Sequence, residues 1–438
     1  MDYAEALDYL ERHINYPTWG QKSARAGRTE GLSLERMERL VAVLGDPQGA
    51  CPVIHITGTN GKGSTARMIT RLLMASGLRV GTYTSPHLER YNERIRLDDE
   101  DLDDERFAES IAAIARVEAL LDEVPSHFET LTAAGFVCFA DEAVDVAVVE
   151  VGLLGRYDAT NVADGTVAVV TNVGRDHTDF SGDWRWRIAE EKAGIVKPSS
   201  HLVLGETSAE LRAAFVAEEP EAIWDRGVEF DCTSNALAVG GRLVGLRTPH
   251  HALDELFVPL HGAHQGLNAS LALAAVEAFF GRALTDEVVT EAFAALTMPG
   301  RFEVLRREPL VILDGAHNPD GAEATGSVLD ESFAVDGRRT LVVGMLTERD
   351  PVAMLDGLRF RSFDRIICCA PDSPRALPAA ELAQVVASEG RVAEVVSSVA
   401  AACERALDGA DPDGLVLVSG SLYTAGEARP VLRAAPGH

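Results

Sequence analysis

The chain has 438 residues, 46% of them hydrophobic, which suits two or three separately cored domains better than one. Its 40 basic residues face 68 acidic ones, a net charge of -28, so its surface repels nucleic acid and acidic membranes and excludes both as partners. The six cysteines form no C-x-x-C pair, which argues against disulfides and structural zinc and fits a reducing cytoplasm.

The opening residues, MDYAEALDYLERHI, are acidic and amphipathic, unlike a signal peptide. No apolar run is long enough to span a membrane. Residues 2–14 and 32–43 read as helices, the second with Leu34, Met37, Leu40 and Val41 at helical spacing. The polar stretch 16–31 between them is expected as an ordered loop over the site.

From Val53 to Thr65 the chain reads VIHITGTNGKGST. A short apolar strand runs into Gly58, Gly61 and Gly63 and then into a helix-forming stretch with Met68, Ile69, Leu72 and Leu73 on one face. Strand, glycine loop and helix in that order make a phosphate cradle, because backbone N–H groups and the helix N-terminus converge on phosphate oxygens. Lys62 can reach the outer phosphates and Ser64 can ligate Mg2+. The usual spacing, G-x-x-x-x-G-K, is altered here, since Gly61 precedes Lys62 after only two intervening residues. The pattern points to ATP and magnesium.

A second strand, 79–84, leads to Ser85-Pro86-His87-Leu88 and a charged loop over 89–96. Helices are expected over 104–121 and 129–141. The apolar run 144–149 ends at Glu150, and another at 167–171 precedes Asn172. Such runs suit a parallel sheet covered on both faces, whose ligands gather at the carboxyl ends of strands. A helix follows over 184–194, an antiparallel insertion or flap over 224–260, and a helix over 266–280. Met298-Pro299-Gly300 marks a domain boundary. Beyond it, strands at 310–313, 340–343, 365–369, 392–396 and 415–418 alternate with helices that include 378–388 and 399–406. The expected fold is α/β: a P-loop-type, mostly parallel sheet domain with a β insertion over 1–297, and a smaller Rossmann-like domain over 298–438, with a cleft between them.

Four polar clusters fall at strand ends of the first domain: Lys62/Ser64, Ser85/His87, Glu150 and Asp176/His177. Mg2+ prefers oxygen and keeps several waters, so Ser64, Ser85 and Glu150 are suitable ligands and His177 a less usual one. On residue type alone, Ser85 and His177 are more often structural, and Lys192 more often solvated or ion-paired. In the second domain Asp314 can accept from a purine amine or ribose hydroxyl, and His317 can stack or donate. Asn318 before Pro319 also reads as a helix cap. His250-His251 and His261/His264 have no partner at zinc-ligand spacing and read as loop and helix-entry residues.

In order, GTNGKGS (58–64), TSPHLERYNERI (84–95), VEVGLLGRYDATN (149–161), GRDH (174–177), IAEEKAGIVKP (188–198), HQGLNA (264–269), MPGRFE (298–303), LDGAHNP (313–319) and SGSLYTAGE (419–427) resemble the folylpolyglutamate synthase/dihydrofolate synthase family of the Mur ligase superfamily. The resemblance covers nearly the whole chain. It implies an ATP-dependent amide ligase in which a folate or dihydropteroate carboxylate is phosphorylated and the acyl phosphate is attacked by the amine of L-glutamate. By position, Thr59, Asn60, Gly61, Lys62, Gly63 and Ser64 match the phosphate loop, and Asn268, Arg301, Asp314 and His317 the other nucleotide contacts. Ser64, Ser85, Glu150 and His177 match the positions that hold two Mg2+ ions. Lys62, His177 and Lys192 match catalytic positions, Lys192 the one that becomes carbamylated, and Arg94 and Asp158 match acceptor-binding positions. The resemblance also implies a monovalent cation and a cytoplasmic monomer. It departs from the family pattern at Leu154, where a glycine is usual, at Tyr157 and Arg175, both usually leucine, and in Trp184 and Trp186. Two other classes stay open: a Mur-type ligase for a different carboxylate acceptor, for whose UDP-binding domain the roughly 50 residues before Ile54 leave little room, and a regulatory ATPase, against which LDGAHNP counts.

Overall fold

The computed structural model describes residues 1–13, 33–175 and 182–434. The expected loop over 16–31 and the pair Asp176/His177 lie outside the described residues. The chain divides into two units, one of Met1–Ala238, Arg242–Pro259 and His264–Leu296, the other of Val239–Gly241, Leu260–Ala263 and Thr297–His438.

The first unit carries an eight-stranded sheet: β1 (Val53–Thr57), β2 (Val80–Tyr83), β3 (Ile95–Leu97), β4 (Glu100–Asp101), β5 (Val146–Glu150), β6 (Gly165–Val170), β7 (His201–Leu204) and β8 (Ala222–Asp225). Their order is β4-β3-β2-β5-β1-β6-β7-β8. β2, β5, β1, β6, β7 and β8 are parallel, and β3 and β4 add an antiparallel edge. Every residue of β1 and β5 is buried, as their apolar runs require of strands covered on both faces. Register pairs Ile56 with Glu150, so Glu150 ends its strand level with the end of β1.

On one face, the helix His127–Asp141 starts from a capping box in which Ser126 and Glu129 satisfy each other's backbone N–H groups. It packs Phe136 and Phe139 into a core with Tyr83, Phe107, Ile111 and Ile114. On Gly81 of β2 a Cβ would stand 2.5 Å from the Phe139 ring, so glycine is what lets this helix approach.

Two segments differ from the sequence reading. The loop expected over 89–96 is partly ordered as Tyr91–Arg94, a 3-10 turn, and then enters the β3–β4 hairpin. The hairpin turns on Asp98 and Asp99, both with positive φ. Two left-handed residues in a two-residue turn are normally announced by Asn-Gly or Asp-Gly, so Asp-Asp gave no signal. Here Asp98 accepts from the Val80 N–H at 2.8 Å and Asp99 pairs with Arg67 at 2.8 Å. The second difference is at 224–260: β8, with Trp224, joins the main sheet in parallel with β7. The insertion is therefore only β9 (Asp231–Ala238), β10 (Gly241–Arg247) and β11 (Ala252–Val258).

The second unit carries a six-stranded sheet of β12 (Glu303–Arg307), β13 (Leu310–Leu313), β14 (Arg339–Val343), β15 (Arg365–Cys368), β16 (Glu394–Val395) and β17 (Leu415–Ser419), in the order β12-β13-β17-β14-β15-β16. All pairings are parallel except β12 with β13. β12, absent from the sequence reading, is an edge strand with no fully buried residue, and its Arg- and Glu-rich composition hides it. Cys368 and Cys369 are buried, as their apolar run predicts.

Candidate functional site

β1 delivers the phosphate loop. Gly58 has no room for a side chain, since a Cβ would stand 1.8 Å from Thr171 Oγ1. Gly61, with φ 86, turns the chain into the helix Lys62–Ala75, and a Cβ there would lie 2.6 Å from Asn268 Oδ1. The segment leaving β6 grips the loop. Asn60 N–H donates to Asn172 Oδ1 at 3.0 Å, and the Asn60 carbonyl accepts from Thr171 Oγ1 at 2.7 Å and Asn172 Nδ2 at 3.0 Å. The Gly174 N–H donates to Thr59 Oγ1 at 2.9 Å. Thr171 was not among the expected site residues; the available signal was a hydroxyl at a strand end beside a glycine loop.

Among the described residues no side chain caps the helix Lys62–Ala75, so its first N–H groups face the space the loop encloses. Lys62 Nζ donates to the carbonyls of Gly58 at 3.1 Å and Thr59 at 3.4 Å, folding the ammonium over the loop. Lys192, on the helix Trp184–Ala193, is 4% exposed. It lines a small cavity with Gly58, Thr59, Lys62, Gly152, Leu154 and Ile188. The loop and Lys192, 130 residues apart in sequence (192 − 62), therefore share one space.

Ser64 is buried in the first turn of the helix. Glu150, also buried, accepts from the Ser85 N–H at 3.3 Å through Oε2. The nearest atom to a Cβ on Gly63 would be that same Oε2, at 3.4 Å. Gly63, Ser85 and Glu150 thus meet at the helix entrance, and a hydroxyl with a carboxylate is a hard-oxygen donor set that fits Mg2+. His177 lies outside the described residues.

The two acceptor candidates are placed near one phenol. Arg94 Nε donates to His87 Nδ1 at 2.9 Å, and its guanidinium lies 5.6 Å from the Tyr91 ring centre. The rings of His87 and Tyr91 are 4.4 Å apart, and those of Tyr91 and His127 5.5 Å. Burial, then the Arg94 charge, push His87 down to about 3, and the same two causes take His127 to about 4. Both rings are neutral at physiological pH, leaving Arg94 as the cation of this group. Tyr83, buried and pushed up to about 12, lies within electrostatic reach of both Arg94 and Asp158. Asp158 accepts from Leu153 N–H at 2.8 Å, Thr160 N–H at 3.0 Å and Thr160 Oγ1 at 2.6 Å. Its carboxylate organises the loop from Gly152 to Thr160, and burial raises its pKa. In that loop Leu154 has φ 61, the conformation in which glycine carries no penalty, and Thr57 Oγ1 donates to its carbonyl at 2.6 Å.

Within the second unit, Asp314 follows β13 and accepts from Phe302 N–H at 2.8 Å, Ala316 N–H at 2.9 Å and Thr325 Oγ1 at 2.6 Å. It holds Phe302, next to Arg301, at φ 44. His317 Nδ1 lies 3.1 Å from the Gly315 carbonyl. Asn318 caps the helix Pro319–Ser332 by accepting from Gly321 N–H at 2.8 Å, with Pro319 in its first turn. Of the other histidines, His251 sits 2.8 Å from Asp286, and the His261 ring packs at a tilt against Phe302 and Phe333, with ring centres 5.7 and 5.0 Å away.

Residues 56–276 match the Mur ligase middle domain and residues 300–422 the Mur ligase glutamate ligase domain. A dihydrofolate synthase/folylpolyglutamate synthase of Mycobacterium tuberculosis is 38% identical over 437 residues, covering 91% of this chain and 89% of its own. Among solved structures, the Mycobacterium tuberculosis folylpolyglutamate synthase complexed with ADP superposes with a TM-score of 0.90 at 34% identity over 99% of each chain. A bifunctional folylpolyglutamate synthase/dihydrofolate synthase with Mn, AMPPNP and L-glutamate bound does so with a TM-score of 0.84 at 31% identity, over 99% of this chain and 98% of its own. The phosphate loop and the two α/β units define a Mur ligase, and the chain belongs to the folylpolyglutamate synthase/dihydrofolate synthase family within that class. Among the described residues, no helix is long and apolar enough to cross a membrane.

Proposed function

We propose that this chain is an ATP-dependent amide ligase joining L-glutamate to the carboxylate of a folate or dihydropteroate, with release of ADP and phosphate. The observation that carries the reading is the shared space of Lys62, Thr59 and Lys192 beneath an uncapped helix N-terminus. The relatives' names supply the acceptor class, and their ADP, AMPPNP, Mn and L-glutamate complexes fit the same chemistry.

Phosphoryl transfer asks the protein for positioning and charge neutralisation more than for covalent help. Lys62 and the loop N–H groups hold the outer phosphates. Ser64, Ser85 and Glu150 are the residues that would hold Mg2+, with His177 as the fourth position from the resemblance. Bound there, Mg2+ supplies charge neutralisation on the phosphates. The acceptor carboxylate oxygen attacks the γ-phosphorus and ADP leaves. The glutamate amine then attacks the acyl carbon, loses a proton, and the tetrahedral intermediate expels phosphate. Arg94 and Asp158 are assigned to the acceptor, and Arg301, Asp314 and His317 to the nucleotide. Lys192 is assigned the carbamate role, where a negative charge beside the metal position would replace a cation.

Purified protein supplied with ATP, Mg2+, L-glutamate and either dihydropteroate or a folate tests this by phosphate release. Release that needs both glutamate and one acceptor is expected, and the productive acceptor separates synthase from chain extension. No acceptor-dependent release with either would overturn the assignment and favour a ligase for a different carboxylate.

A further inference from the structure

β1 presents His55 and Thr57 to the same side, two residues apart, and both hold the loop between β5 and β6. Thr57 takes the Leu154 carbonyl. His55, fully buried, brings Nε2 to 2.9 Å from Thr160 Oγ1. That hydroxyl lies 2.6 Å from Asp158 Oδ1, which also receives the Thr160 N–H. A hydroxyl has one proton. With that proton given to the Asp158 carboxylate, Thr160 accepts from His55, so Nε2 carries the hydrogen. The other ring nitrogen, Nδ1, is buried and has no hydrogen-bond partner among the described residues.

An orphaned buried nitrogen is costly, and an aliphatic side chain, like those of Val53, Ile54 and Ile56 beside it, would avoid the cost. The histidine is accounted for by what its Nε2–H does. We infer that His55 is a positioning residue for acceptor binding: through Thr160 it fixes the carboxylate of Asp158, and so sets affinity for the pterin-bearing acceptor without touching it. The inference rests on the reading of Asp158 as an acceptor contact. The strand that feeds the phosphate loop would then also register the acceptor loop, the Thr57 hydroxyl by holding the Leu154 carbonyl and His55 by holding, through Thr160, the Asp158 carboxylate.

Steady-state kinetics on the full chain test it, varying acceptor and ATP separately, with melting temperature recorded for each variant. Thr160→Val, nearly isosteric, and His55→Val should each raise KM for the acceptor about tenfold, the loss expected for a hydrogen bond to a charged group. KM for ATP should stay within about twofold, the double variant should be no worse than either single one, and His55→Gln, which keeps a terminal N–H, should recover much of the loss. Unchanged acceptor KM in Thr160→Val, or KM for ATP rising in step with it, would overturn the inference, and Thr160→Val decides alone if His55→Val does not fold. Asp158→Asn separates the two readings. If it leaves acceptor KM unchanged, the acceptor assignment of Asp158 fails. If it raises KM while Thr160→Val does not, only the His55 relay fails.

Discussion

The hydroxyl oxygen of Thr171 stands 1.8 Å from the point a Cβ on Gly58 would occupy. That hydroxyl also donates to the Asn60 carbonyl, so it cannot swing aside without releasing the phosphate loop. Gly58→Ala should abolish measurable ATP binding in calorimetry and lower the melting temperature. Gly49→Ala, where a Cβ meets nothing within 4 Å, is the control and should change stability by no more than about 0.5 kcal/mol. ATP binding retained by Gly58→Ala would mean the loop is not gripped as described.

Among the described residues the Lys62 ammonium donates to two backbone carbonyls of its own loop, at 3.1 and 3.4 Å. Lys62→Ala should therefore leave the melting temperature nearly unchanged while cutting turnover by at least about a hundredfold, as loss of a charged transition-state contact does. Turnover within a few fold of the parent would remove Lys62 from phosphate binding.

Lys192 is buried beside that loop. If its role is to become a carbamate, Lys192→Ala should lose turnover and regain part of it in millimolar acetate or propionate, which restore a carboxylate to the cavity. Lys192→Arg should not be rescued. Identical loss with and without added acid would favour a plain cationic role.

Three histidines whose surroundings hold the ring neutral, His55, His87 and His127, set an acid limit on stability. His55 and His87 are held down to about 3 and His127 to about 4, in each case first by burial. A histidine whose folded pKa is depressed binds its proton in the unfolded chain first. Its contribution is complete above about 6.5 and is lost as pH falls from there toward the folded value. Each histidine contributes a slope of up to about 1.4 kcal/mol per pH unit. Urea midpoints at pH 7, 6 and 5 should fall steadily, and His127→Gln should flatten the slope by about one proton. A slope identical to the parent's would show that His127 is charged in the fold.

Leu154 combines a left-handed backbone with a buried side chain. Leu154→Gly relieves about 1–2 kcal/mol of backbone cost but removes packing worth about 2–5 kcal/mol. Packing should win, and the melting temperature should fall. A rise would mean that backbone strain dominates this loop.

Much of this arrangement could be read from the chain. The phosphate loop, the buried parallel strands and Glu150 at a strand end all follow from local pattern, because a glycine run between an apolar strand and a helix has few other uses. What stayed hidden depends on partners far away in sequence. Nothing near Asp98-Asp99 announces a hairpin until Val80 and Arg67 are in place to take their carboxylates. Thr171 gains meaning only against Gly58, and His55 only through Thr160, 105 positions on. By residue type and position Asp158 and Asp314 match ligand contacts, and each receives three hydrogen bonds from its own unit. Composition cannot distinguish an acid that binds substrate from one that holds its own backbone.

Because Thr57 and His55 stay behind on the central strand, the stretch from Gly152 to Asn161 is not an interchangeable module. A chimera that imports this stretch from a relative inherits a lock cut for another key unless residue 55 or residue 160 travels with it. Efforts to retune acceptor choice should therefore begin by exchanging strand and loop as a matched pair.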